Sequence, residues 1–93
     1  METAFYILIY IKTVKGFESF GRFYIGDNEE FAYLLFKKLK GSEDSVGESV
    51  LQIDLMETKN TLPVNIKVMG CTLEQLAENC RLITKEVFKM FVL

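Results

Sequence analysis

Phe5-Tyr6-Ile7-Leu8-Ile9-Tyr10-Ile11 is an unbroken run of large aromatic and branched residues without a charge. Such side chains suit a pleated, packed surface. The run is far shorter than the ~20 residues of a membrane-spanning helix, so it reads as a strand buried on both faces. The rest of the chain has to cover it.

This strand runs from about Ala4 to Val14 and turns at Lys15-Gly16, where glycine accepts positive φ. The return strand is Phe17 to Ile25, and Gly21 within it marks a candidate bulge. Gly26 ends that strand. Asp27-Asn28-Glu29-Glu30 then has the form of a capping box, with Asp27 as N-cap and Glu30 reaching back. The helix that follows to about Lys40 puts Phe31, Ala32, Leu34, Leu35, Phe36 and Leu39 on one side, and Glu29, Tyr33, Lys37 and Lys40 on the other. Residues 41–49 are polar, acidic and rich in Gly and Ser, which predicts a mobile surface loop.

A third strand from about Val50 to Thr58 alternates Leu51, Ile53 and Leu55 against Gln52 and Asp54. A fourth, Val64 to Met69, alternates Val64, Ile66 and Val68 against Asn65 and Lys67. A two-residue turn at Lys59-Asn60 would set Leu55 opposite Val64, Ile53 opposite Ile66 and Leu51 opposite Val68. Gly70 ends this strand, and Thr72-Leu73-Glu74-Gln75 is a second capping box. The final helix carries Leu73, Leu76, Ala77, Cys80, Ile83, Val87, Phe88 and Phe91 on one stripe, with Leu82 isolated among charges opposite.

The order strand, strand, helix thus occurs twice, at an offset of about 44 residues that lays Gly70 on Gly26. Two hairpins, each followed by an amphipathic helix, bury both helix stripes by packing them on one face of a common antiparallel sheet. The expected fold is therefore α+β: a two-layer ββαββα sandwich with a four-stranded antiparallel sheet. Its units are residues 4–40 and 50–93, joined by the loop 41–49. At 93 residues, 49% hydrophobic and 26% charged, the chain suits one globular domain.

The two hairpins differ on the face turned away from the helices. In the second, that face carries Gln52, Asp54, Asn65 and Lys67, as water requires. In the first, both faces are apolar: Ile7, Ile9 and Ile11 on one, Tyr6, Leu8 and Tyr10 on the other. Phe23 and Ile25 join one set or the other according to whether Gly21 bulges, and both are placed with the outer set as candidates. An exposed apolar patch of this kind marks a contact. The expected interaction surface is Tyr6, Leu8, Tyr10, Phe23 and Ile25, its partner a second copy of the chain or another protein. Folding of loops or of Met90-Phe91-Val92-Leu93 over the surplus is the plain alternative, and an aromatic-lined pocket for a small apolar ligand is another.

Chemistry has few footholds. The chain has no histidine, which removes the commonest general base and metal ligand. Gly-rich phosphate loops and nucleophile elbows are missing from the sequence, so no catalytic residue, metal or cofactor is assigned. Cys71, just before a helix N-terminus, is the one candidate reactive thiol, and it opens a third reading as an enzyme or redox protein. The net charge of −2 gives no reason to expect nucleic acid or an anionic membrane. The aromatic stretch Lys15 to Phe23 departs in spacing and element order from RNA-binding strands. The chain shows no basic leader, and its two cysteines predict free thiols in a reducing, cytoplasmic setting.

Overall fold

Four strands and two long helices follow the predicted order in the computed structural model, which describes residues 3–92. They are β1 (Thr3–Thr13), β2 (Gly16–Gly26), α1 (Glu29–Lys38), β3 (Leu51–Lys59), β4 (Leu62–Cys71) and α2 (Leu73–Val92). The strands form one antiparallel sheet in the order β2-β1-β3-β4, so the first strand of each hairpin is central. Ile9 pairs with Ile53 across the middle. Those two residues are also equivalent under the 44-residue offset, which places a pseudo-two-fold axis between them. No helix among the described residues is long and apolar enough to cross a membrane.

A single core draws on both units. Phe5, Ile7 and Ile9 of β1, Ile25 of β2 and Leu51, Ile53 and Leu55 of β3 meet Ala32, Leu35 and Phe36 of α1 and Leu76 and Ile83 of α2. Side chains such as Ile7, Ile53 and Leu55 have no exposed surface. Burial of that kind is worth about 1.5–3 kcal/mol per large apolar side chain before entropy is charged against it.

Local signals place the helices, with small shifts. The N-cap of α1 is Asn28, whose Oδ1 accepts from the Phe31 N–H at 2.8 Å, one residue later than the expected Asp27. Asn28 already has the extended backbone that a cap needs, and its amide oxygen serves as well as a carboxylate. The box at α2 forms as expected: the Gln75 N–H donates to Thr72 Oγ1 at 3.1 Å, and the Thr72 N–H donates to Gln75 Oε1 at 2.9 Å. Both buried stripes are narrower than expected. Leu34, Leu73, Phe88 and Phe91 are exposed, whereas Tyr33 and Leu82 are half-buried against the core.

The second hairpin corrects the expected register. Its turn is Asn60-Thr61, with Lys59 opposite Leu62, and both turn residues have positive φ (51° and 68°) as a hairpin turn matching strand twist requires. Ile66 then stands unpaired as a bulge, and the register beyond it is Leu55–Lys67, Ile53–Met69 and Leu51–Cys71. The bulge inverts the alternation: Val68 joins the face away from the helices, while Lys67 turns toward α1, where it borders a depression with Glu30 and Tyr33.

The loop 41–49 is tied to the sheet near its start. Ser42 pairs with Gly70 through two backbone hydrogen bonds of 2.9 Å, and a short 3-10 turn, Glu43–Ser45, follows. Gly70 permits this closeness, since a Cβ there would sit 2.6 Å from Ser45 Oγ. The loop therefore caps the end of edge strand β4.

Candidate functional site

Strand alternation and register lay out the sheet face opposite the helices as rows. Tyr24, Tyr6, Met56 and Asn65 form one row across β2-β1-β3-β4; Arg22, Leu8, Asp54 and Val68 form the next; Ser19, Tyr10, Gln52 and Gly70 form a third. Tyr6 and Met56 are buried but stand apart from the core cluster beneath the helices. Leu8, Tyr10 and Val68 are half-buried, and Tyr24 is 59% exposed.

Two of the predicted surface residues lie elsewhere. The unpaired residue of β2 is Phe20, immediately before Gly21, and this bulge sets Phe23 opposite Ile7 on the helix side. A second irregularity leaves Ile25 unpaired and turned inward, where it is 1% exposed within the core. Phe23 packs against that same core. Their places on the open face are taken by Arg22 and Tyr24, which the alternation alone had assigned to neither set. The Arg22 guanidinium carbon lies 4.7 Å from the centroid of the Tyr6 ring, a cation–π stack on the open side.

Asp54 departs furthest from expectation. It is 5% exposed, and each carboxylate oxygen takes a neutral donor: Gln52 Nε2 donates to Oδ1 at 3.0 Å and Asn65 Nδ2 to Oδ2 at 2.7 Å. Burial pushes its pKa above the usual aspartate value, outweighing the hydrogen bonds that pull it down. The Tyr10 phenol is pushed up as well, by burial first and then by the neighbouring Asp54 charge. With both oxygens engaged and little surface open, the carboxyl acts as a brace for Gln52 and Asn65 and has no approach for a substrate.

Comparison with protein-family models, characterised proteins and solved structures finds no match.

Two adjoining depressions form a groove at one end of the open face. The inner one, nearest Arg22, is about 440 Å³ and is bordered by Ala4, Tyr6, Arg22, Tyr24, Thr58, Thr61 and Pro63. The outer one, about 830 Å³, shares Ala4, Tyr24, Thr58 and Thr61 and adds Thr3, Asp27 and Asn60. Bulge positions would have revealed this grouping, but the apolar character of both faces of the first hairpin hides them.

Cys71 sits at the opposite end of the sheet, 3% exposed and paired with Leu51. Burial pushes its thiol up, and Cys80 adds to the effect, which is the reverse of the activation that a nucleophile needs. Cys80 is also shifted up by burial. Among the described residues no group of three or more His, Cys, Asp or Glu side chains is placed to hold a metal ion.

Proposed function

We propose that the protein is a non-catalytic domain that acts by association through its open sheet face, with a second copy of the chain as the partner. The observation that supports this reading is the sheet face left uncovered by either helix, where half-buried Leu8, Tyr10 and Val68 stand among the polar side chains of Arg22, Gln52 and Asn65, with the buried Asp54 between Leu8 and Val68. Such a mixture of apolar and polar side chains suits a non-obligate protein interface, which as a whole is little more apolar than the rest of a protein surface. Four strands give a face about 15 Å across and 25 Å long, roughly 400 Å² in outline, which suits a small contact of modest affinity. A two-fold dimer presents the same patch from each chain, so it needs no second surface. Its two unpaired thiols suit a reducing compartment.

Light scattering tests the reading. A chain of 10.7 kDa should run at twice that mass at about 100 μM, a concentration that reports any dimer of micromolar affinity. Leu8→Lys should give a folded monomer, because an ammonium at the centre of the contact would lose its water without gaining a partner across it. Circular dichroism checks that the variant is folded. A wild-type chain that stays monomeric sinks the proposal.

A further inference from the structure

We infer that the groove beside Arg22 binds a small molecule carrying a carboxylate on a flat aromatic body. Arg22 supplies the anion site. Its guanidinium lies over the Tyr6 ring, 4.7 Å from carbon to centroid, and its N–H groups suit a two-pronged contact with a planar carboxylate. The ion pairs among the described residues take Lys38, Lys89 and Lys59, and none takes Arg22.

The walls supply the rest. Tyr24, 59% exposed, offers an aromatic face, Pro63 an apolar one, and Thr58 brings a hydroxyl group for orientation, while the Thr61 hydroxyl donates to the Asn60 carbonyl and can only accept. A single arginine, without a second cation along the inner groove, matches the charge of a carboxylate better than that of a doubly charged phosphate. Asp27 borders only the outer depression, where its charge repels an anion and so favours the Arg22 end. Thr61 is a β-branched residue held at φ 68°, a costly conformation, and it stands in the wall of this groove.

All of these residues belong to one chain, so the site is complete without a partner, although Arg22 also lies in the proposed dimer surface. The probe is indole-3-acetate, with the uncharged indole-3-acetamide as its counterpart, titrated into ¹⁵N-labelled protein. The acid should shift the amides of Tyr6, Arg22, Tyr24, Thr58 and Thr61 saturably, with a Kd of about 1 mM or lower, and the amide should bind at least about tenfold more weakly. Arg22→Gln should remove the preference for the acid, and Arg22→Lys should restore part of it, since an ammonium carries the charge without the fork. Equal binding of acid and amide, shifts confined to another part of the surface, or no saturable shift overturns the inference. Light scattering on the same samples keeps the two proposals apart: a monomer that binds the acid retains the groove and removes the dimer, and a dimer that ignores the acid does the reverse.

Discussion

Asp54 carries an unusual cost for a surface-layer carboxylate, and the sign of that cost can be worked out. Its pKa lies above the ordinary 3.8 because burial penalises the charge more than Gln52 and Asn65 favour it. Well below pH 3.8 the carboxyl is protonated in both folded and unfolded chains and costs nothing. As pH rises, the unfolded chain releases its proton first, so stability falls until the folded-state pKa has been passed. Asp54→Asn removes this titration, and Gln52 or Asn65 can turn an amide oxygen toward the new NH₂ group. The variant should therefore be the more stable of the two at pH 7, by a margin that shrinks as pH falls from the raised folded-state pKa toward 3.8 and is gone well below it. Glu86 works in the opposite direction: its hydrogen bond to Lys38 lowers its pKa, so its contribution is lost as pH falls below the ordinary 4.5. That loss is common to both proteins and cancels in their difference. Urea melts across pH decide the matter, and a difference that does not vary with pH would mean that Asp54 is not strained in the fold. The sequence could place Asp54 on the outer face but not reveal its burial. Tyr6, Leu8 and Tyr10 crowd β3 from the neighbouring strand, and alternation within β3 carries no record of them.

The elements themselves were legible because each has its own period and its own stops. Leu51, Ile53 and Leu55 alternate strictly, and the Thr72–Gln75 pair closes its box as sequence spacing requires. What the reading left open beside Gly21, and missed elsewhere, were single extra residues. Phe20, Ile25 and Ile66 each stand unpaired, and each reverses or restores the parity of its strand, so a shift of one residue sent Phe23 to the core and Val68 to the open face. The turn at Asn60-Thr61 was displaced by one residue for a related reason: threonine at positive φ is disfavoured, so composition pointed to the pair before it. That misfit has a measurable consequence. Thr61→Gly should raise stability by about 1 kcal/mol, because relief of the left-handed strain outweighs the additional entropy of a glycine in the unfolded chain. The urea midpoint should rise with an unchanged slope, and a drop would show that the Thr61 hydroxyl is worth more to the turn than its conformation costs.

The two ββα units share a sheet and a core, and a buried polar side chain ties the second helix to the chain that leaves the first. Asn79 of α2 is fully buried, and its amide brackets the backbone of Lys40 just beyond α1: the Lys40 N–H donates to Asn79 Oδ1 at 2.7 Å, and Asn79 Nδ2 donates to the Lys40 carbonyl at 2.8 Å. These two bonds satisfy the chain where it leaves the first unit and enters the loop pinned on Gly70. The exposed ion pair between Lys38 and Glu86 also joins the helices, at 3.2 Å, but solvent screening limits a surface pair to at most about 1 kcal/mol. A lost buried donor or acceptor costs about 1–3 kcal/mol, so the asparagine should dominate. Asn79→Leu, close in volume but unable to bond, should then lower stability by about 2–4 kcal/mol, whereas Lys38→Ala should change it by less than about 1 kcal/mol. Hydrogen exchange adds a spatial test: the amides of residues 40–49 should lose protection in the Asn79 variant before those of β1 and β3, because the loop loses its upstream anchor while the central strands keep theirs. If the two substitutions cost the same, or if the loop and the central strands open together, the helices are held by their apolar contacts alone and the buried amide merely fills its place.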